Sequence, residues 1–204
     1  MMINEAKKHL NANLTQKYRI IDYYNEHCLK HVGVSRKYRV QYNDNWCATF
    51  VSVIAKKCGL TGSEFPYECG VEEQVKLAKI RNTFYTDVDL VKPNDLIIYD
   101  WDSNKWADHV GIVIEKSNGV IKVIEGNIKN TVGYRTLPVN SKSIRGFIRV
   151  PIDSAKLDAD VERERIAKLA KDTVAGKYGN GIARQVALGD DYKAVQNHIN
   201  VYYT

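Results

Sequence analysis

The sequence predicts an α+β fold, with helices packed on an antiparallel sheet and a small three-helix bundle after it. Three observations carry the prediction. Apolar residues recur at helical spacing through the first 80 positions, short β-branched runs separated by turn signals follow from Leu96, and the last stretch divides at glycines into helical pieces. Helices first and strands after is the order of an α+β domain rather than an alternating one. With 204 residues, 44% hydrophobic and 26% charged, the chain has the composition and length of one full domain plus a small one.

Residues 3–31 read as helical, and "KYRIIDYYNEHCLKH" places Tyr18, Ile21, Tyr24 and Leu29 at helical spacing. In "NWCATFVSVIAKKCG", Asn45 can cap a second helix and Gly59 can end it, while Cys47, Phe50, Val51, Ile54 and Cys58 fall on one face. A third, shorter helix is expected over 71–80. The runs "DLIIYDW", "HVGIVIEK", "GVIKVIEG" and "IRGFIRV" then read as strands of an antiparallel meander. The polar stretch "PIDSAKLDAD", led by a proline and without periodicity, reads as a linker. The expected domains are therefore 1–150 and 161–204, joined by 151–160. Helices are expected at about 160–175, 181–188 and 191–202 in the second, its core drawn from Ile166, Leu169, Ala170, Val174, Ile182, Val186, Leu188, Val195 and Ile199. At roughly 40 residues it lies near the lower size limit for independent folding.

The net charge of +6 resides in residues 1–150, because the last 54 residues hold eight basic and eight acidic side chains. A positive field suits nucleic acid, an anionic membrane or an anionic polymer such as a Gram-positive wall. No Lys/Arg cluster with interleaved aromatics points to nucleic acid, and no run approaches the roughly 18 apolar residues of a membrane span. The N-terminus "MMINEAKKHLNANL" has no apolar block like that of a signal peptide, so a soluble protein made in the cytoplasm is expected. The four cysteines form no CxxC pair and no secreted framework. Cys28, Cys58 and Cys69 are expected to be packing residues.

Cys47 differs, because it opens a helix, where the positive end of the macrodipole favours a thiolate. A nucleophile of this kind needs a base. His9, His27 and His31 lie in the polar N-terminal helical region and His198 in the small bundle, whereas His109 opens an apolar strand. The base in turn needs an acceptor, which "VIEGN" supplies as Glu125, with Asn127 on the same face. Hairpin register tests this set. A two-residue turn at Asn118-Gly119 alone would pair Ser117 with Val120 and turn Glu125 away from His109. A three-residue loop, Ser117-Asn118-Gly119 with Gly119 left-handed, or another one-residue shift, is therefore expected. It would pair Gly111 with Glu125 and His109 with Asn127.

The chain order Cys, His, Glu, Asn suits a papain-like arrangement of a helix on an antiparallel sheet. "NWCATFVSVIAKKCGL", "VKPNDLIIYDW", "DHVGIVIE", "VIEGN" and "IRGFIRV" resemble successive motifs of the CHAP domain, the cysteine, histidine-dependent amidohydrolase/peptidase of peptidoglycan hydrolases. The resemblance covers about residues 5–150. It implies that Cys47 attacks an amide carbonyl, that His109 activates the thiol and protonates the leaving amine, that Glu125 orients His109, and that Asn127 gives polar support. Trp46, beside the nucleophile, is expected at the substrate, and Asp108 is expected to be structural. "YNDNWC" offers only Asp44 where some related domains carry an acidic calcium loop, so no metal and no cofactor are expected.

"AKDTVAGKYGNGIARQVALGDDYKAVQNHIN" resembles the CW-seven cell-wall-binding repeat of phage lysins, with Tyr178 where that family usually has tryptophan. The resemblance implies recognition of the glycan-peptide unit of peptidoglycan by Tyr178, Asn180, Arg184, Asp191 and Tyr192. Stacking on sugar faces suits the tyrosines, and directional polar contacts suit Arg184 and Asp191. Core or helix-cap roles are the alternative for each, capping above all for Asp191.

Together these resemblances imply a phage endolysin held in the host cytoplasm until the membrane opens, acting on Gram-positive peptidoglycan, with oligomerisation through the binding repeat open. The same residues serve an N-acetylmuramoyl-L-alanine amidase or a peptide endopeptidase. A non-catalytic wall-binding adaptor and a bacterial autolysin are the alternatives. A zinc amidase using His27 and His31, four apart on one helix, lacks a convincing third ligand.

Overall fold

The computed structural model describes residues 1–30, 37–152 and 154–203, and the chain forms two compact units, Met1–Pro151 and Ile152–Thr204. In the first unit the expected single N-terminal helix is two, α1 (Met2–Lys7) and α2 (Leu14–His27). Asn11 breaks the run with a left-handed φ of 57°. Asn13 then starts α2 with a reciprocal capping box to Gln16, which satisfies helix-end N–H groups that a continuous helix would not have exposed. His31 lies outside the described residues.

Helix α3 (Cys47–Lys57) buries every residue from Cys47 to Ala55, well beyond the single apolar face expected. Each large aliphatic or aromatic side chain so removed from water contributes about 1.5–3 kcal/mol. Gly59, left-handed at φ 76°, ends the helix. Asn45 does not cap it; Trp46 is the N-cap residue and offers no side-chain bond. Helix α4 (Val71–Ile80) matches the expected third helix.

Among the described residues the strands are β1 (Phe84–Tyr85), β2 (Leu96–Tyr99), β3 (His109–Ser117), β4 (Val120–Ile128), β5 (Thr131–Pro138) and β6 (Ile144–Ile148). They form one antiparallel sheet in the order β1-β6-β2-β3-β4-β5. Strand β5 was not anticipated, because it buries only Val132 and Leu137 and so lacks an apolar run. Ile97, Tyr99, Val113, Ile121, Val123, Leu137 and Phe147 build a core on one sheet face. Glu125 shares that face with Val123, and Gly126 points the other way, where an added Cβ would lie 2.5 Å from Phe50 Cβ of α3.

The expected three-residue hairpin loop is not formed. Asn118 (φ 50°) and Gly119 (φ 74°) make a two-residue turn, and Ser117 pairs with Val120. The one-residue shift occurs within β3 instead. Glu115 pairs with Lys122 but Val113 pairs with Val123, so Ile114 is the extra residue of a bulge. Beyond it Ile112 pairs with Ile124, a register that sets Gly111 opposite Glu125.

The second unit contains α5 (Ser154–Val174), α6 (Ile182–Leu188) and α7 (Tyr192–Tyr202). Helix α5 begins at Ser154 and takes in most of the stretch read as a linker. The core is Ile166, Ala170, Leu188, Val195 and Ile199, with Leu169, Tyr178 and Tyr192 packed against it. Val174, Ile182 and Val186 were expected there but are exposed, Ile182 by 79%. No helix among the described residues is long and apolar enough to cross a membrane.

Candidate active site

Cys47, 3% exposed, is the first residue of α3, where the backbone N–H groups of the opening turn have no partner within the helix. Its thiol shares the cleft lining with the imidazole of His109, the first residue of β3, and interacts with that ring strongly enough to raise its pKa. His109 Nε2 lies 3.0 Å from Glu125 Oε2, which leaves Nδ1 as the ring nitrogen available to the thiol. The bulge at Ile114 and the absence of a side chain at Gly111 make this contact possible. A Cβ on Gly111 would stand 2.7 Å from Glu125 Cγ and overlap Val123 Cγ1, in the space the carboxylate uses to reach diagonally to His109.

Glu125 is fully buried, and its carboxylate is saturated with donors. Tyr99 Oη donates to Oε1 at 2.7 Å, and Arg135 Nε lies 2.9 Å from Oε1 and 3.0 Å from Oε2. Burial pushes the Glu125 carboxyl up, but bonds from His109, Arg135 and Tyr99 outweigh it and hold the group below its ordinary range. Burial likewise pushes His109 down, yet the bonds to Cys47 and Glu125 prevail and raise it to about 9. The imidazolium is thus the favoured form at neutral pH. Trp101 stacks on Tyr99 at 4.5 Å and lies 6.1 Å from the His109 ring, with the Arg135 guanidinium 5.0 Å from its centroid.

Asn127 adopts φ 61° where β4 slips by one residue against β5. Its Nδ2 donates to Asn45 Oδ1 at 3.0 Å, and no bond joins it to His109. Both asparagines line the cleft over the thiol with Cys47, Trp101, Asp102, Asp108 and His109. Trp46, expected at the substrate, is instead completely buried and meets Phe50 edge-on at 6.1 Å. The large indole anchors the start of α3, and its ring cannot reach a ligand. Asp108 accepts from Trp101 N at 2.7 Å, and Asp100 accepts from Asn104 N and Lys105 N, so these carboxylates brace the 100–108 loop. Oxygens of Asp100, Asp102 and Asp108 lie within 4.8 Å of one another, a consequence of that bracing.

Tyr99, Trp101 and Arg135 were missed as site residues. The first two lie in "DLIIYDW", where an OH and an indole at alternate positions share a face; Arg135 carries no signal in the sequence, because its strand has no apolar run.

Residues 37–127 match the family model of the CHAP domain, and residues 167–202 match that of the CW_7 repeat. The chain contains a CHAP domain and a CW_7 repeat. Cys47, His109, Glu125 and Asn127 all fall within the CHAP match. Among solved structures, an NlpC/P60 family protein from Bacillus cereus ATCC 10987 is similar at 22% identity and TM-score 0.37, over 53% of this chain and 32% of that one. A lipoprotein-like NLP/P60 family protein from Staphylococcus aureus subsp. aureus Mu50 is similar at 14% identity and TM-score 0.37, over 66% of this chain and 42% of that one. The chain therefore spans about a third of the length of the first and about two fifths of the second. No curated protein matches the chain.

Within the CW_7 repeat, the expected wall contacts are engaged internally. Tyr178 and Tyr192 pack against the core, Arg184 donates to Asn180 Oδ1 at 2.9 Å and to Gly179 O at 3.1 Å, and Arg165 forks onto Asp191. Asp191 precedes α7 but makes no side-chain cap bond. His27, half of the alternative zinc pair, lies 3.6 Å from Glu26 on an exposed helix surface.

Proposed function

We propose that the protein is a phage endolysin that hydrolyses an amide bond of Gram-positive peptidoglycan through Cys47. A thiol at the start of α3 that shares a cleft with an imidazole held by a buried carboxylate carries the reading. The Cys47 thiolate attacks the amide carbonyl, and the developing oxyanion meets unpartnered N–H groups at the start of α3. His109, holding the thiol's proton, passes it to the leaving amine as the C–N bond breaks. A thioester remains. Water then attacks that thioester with His109 as base, and the carboxylic acid leaves as the thiol is restored. Glu125, fixed by Tyr99 and Arg135, keeps the imidazole in one tautomer and stabilises its charge. The amine released belongs either to the first residue of a stem peptide or to a peptide cross-link.

The CW_7 repeat holds the enzyme on the wall, with Tyr178, Asn180, Arg184, Asp191 and Tyr192 as the residues proposed to meet glycan and peptide. Release from the host cytoplasm on membrane opening fits this role. Purified walls treated with wild type and Cys47→Ala, followed by mass spectrometry of the products, test the proposal. Wild type is expected to release stem peptides or open cross-links, and Cys47→Ala to bind walls without releasing either. Equal clearing by both proteins would refute it.

A further inference from the structure

The cleft is electrically lopsided about the thiol. Asp102 and Asp108 line the part that contains Cys47, whereas Glu72 and Glu73, which line its extension along α4, are paired with Arg145 and Lys76. On the other side of His109 the wall is made by Trp101, Asn127, Ile128, Lys129 and Arg135, with no exposed carboxylate. Here Glu125 is the nearest acid, and it is fully buried behind Arg135.

Arg135 has donor capacity to spare. Its Nε is committed to Glu125, but among the described residues neither terminal nitrogen of the guanidinium is hydrogen-bonded, and the side chain is 32% exposed. Lys129 sits in a two-residue turn with Asn130, both left-handed, and Lys17 Nζ donates to Asn130 Oδ1 at 2.9 Å while Thr131 Oγ1 donates to Ala12 O at 2.8 Å. The turn is pinned on both sides. Its lysine is exposed and has no acidic partner of its own among the described residues.

We propose that Arg135 and Lys129 form an anion subsite of the cleft, which takes a free carboxylate of the peptidoglycan stem next to the amide being cut. Two cations on a fixed strand and turn, beside the 46% exposed face of Trp101, suit a carboxylate carried on a short apolar segment. The subsite rests on the peptidoglycan reading given above and deepens it. Arg135 thereby has two roles: Nε positions Glu125, and the outer edge of the same guanidinium binds substrate. A substrate seated there is held against the group that orients His109.

The test uses the full chain and paired muropeptides that differ only in whether one stem carboxyl is free or amidated. Wild type is expected to prefer the free acid by about tenfold in kcat/KM. Lys129→Met is expected to cut that preference about three- to fivefold through KM, and added salt to weaken it further. The preference is a ratio within one preparation, so partial unfolding of the variant does not imitate the result. Equal rates on acid and amide, or an unchanged preference in Lys129→Met, would overturn the subsite. If Cys47-dependent release persists without a carboxylate preference, the subsite alone fails; if no release occurs from any wall, the peptidoglycan reading fails first.

Discussion

Arg135 Nε straddles both oxygens of Glu125, so the carboxylate that orients His109 is shared with a cation that does not titrate. Without Arg135, Glu125 would be a buried charge held by Tyr99 and His109 alone. Arg135→Gln is expected to destabilise the CHAP unit by about 1–3 kcal/mol, measured by denaturant titration, because a fully buried charged group loses a hydrogen-bond partner. The His109 proton is then held more tightly, and the alkaline limb of activity moves to higher pH. Arg135→Lys is expected to restore part of the stability but not the two-oxygen contact.

The pH dependence of wild type follows from the two shifts. His109 is raised above its ordinary 6.5, so the stability its charge contributes is complete below 6.5 and is lost as pH rises through about 9. Glu125 is lowered below its ordinary 4.5, so its contribution is present above 4.5 and fades as pH falls through the acid range. Lytic activity on walls is expected to hold across neutral pH and to fall near 9, where the imidazolium loses the proton that the leaving amine requires. A decline centred near 6.5 would contradict the geometry around His109.

Glu125→Gln keeps the shape of the side chain but removes its charge. Activity is expected to drop by about 10²-fold or more, the scale on which a positioned acid–base group acts. The alkaline limb should also move toward the ordinary histidine value, read from the pH dependence of Cys47 alkylation. A loss of rate with an unmoved limb would mean that Glu125 serves only to pack.

Gly111 is open to a simpler test. An added methyl must displace Glu125 Cγ or Val123. Gly111→Ala is expected to cost about 1–3 kcal/mol, as overpacking of a filled core does, and to lower activity more than a surface change of equal cost. Denaturation and wall-clearing rates measured on the same preparation separate the two effects.

In the CW_7 unit the core among the described residues is five buried side chains, so each one matters. Ile199→Ala is expected to cost about 2–5 kcal/mol, comparable with the whole stability of so small a bundle. Wall binding should disappear, while cleavage of soluble muropeptides by the CHAP unit persists.

Much of the fold was legible where one periodicity ruled a long enough stretch. Helices α3, α4, α6 and α7 and strands β2, β3, β4 and β6 lie within a few residues of where the sequence places them. Periodicity predicts a continuous N-terminal helix because apolar spacing carries across Asn11, whose left-handed backbone it does not register. Strand β5 was missed because Gly133, Tyr134 and Arg135 interrupt its buried positions. The grouping of His109 with Glu125 was legible from the chemistry they require, but the position of the register shift was not. Asn-Gly fixes the turn locally, and the compensating bulge at Ile114 depends on which residues α3 and the sheet must bury. Trp46 shows the same limit in reverse, since adjacency to Cys47 says nothing about which way a helix-start side chain turns.

The bulge at Ile114 divides the β3–β4 hairpin into two sections that keep different time. On the near side the strands are phased to the cleft, and on the far side, from Glu115 to Lys122, they are phased to a tight turn at the water. Residues at the tip therefore do not dictate how His109 and Glu125 align. An epitope or fluorophore spliced between Asn118 and Gly119 should leave the cleft aligned, whereas removing the one residue Ile114 would leave the tip intact and turn His109 away from its carboxylate.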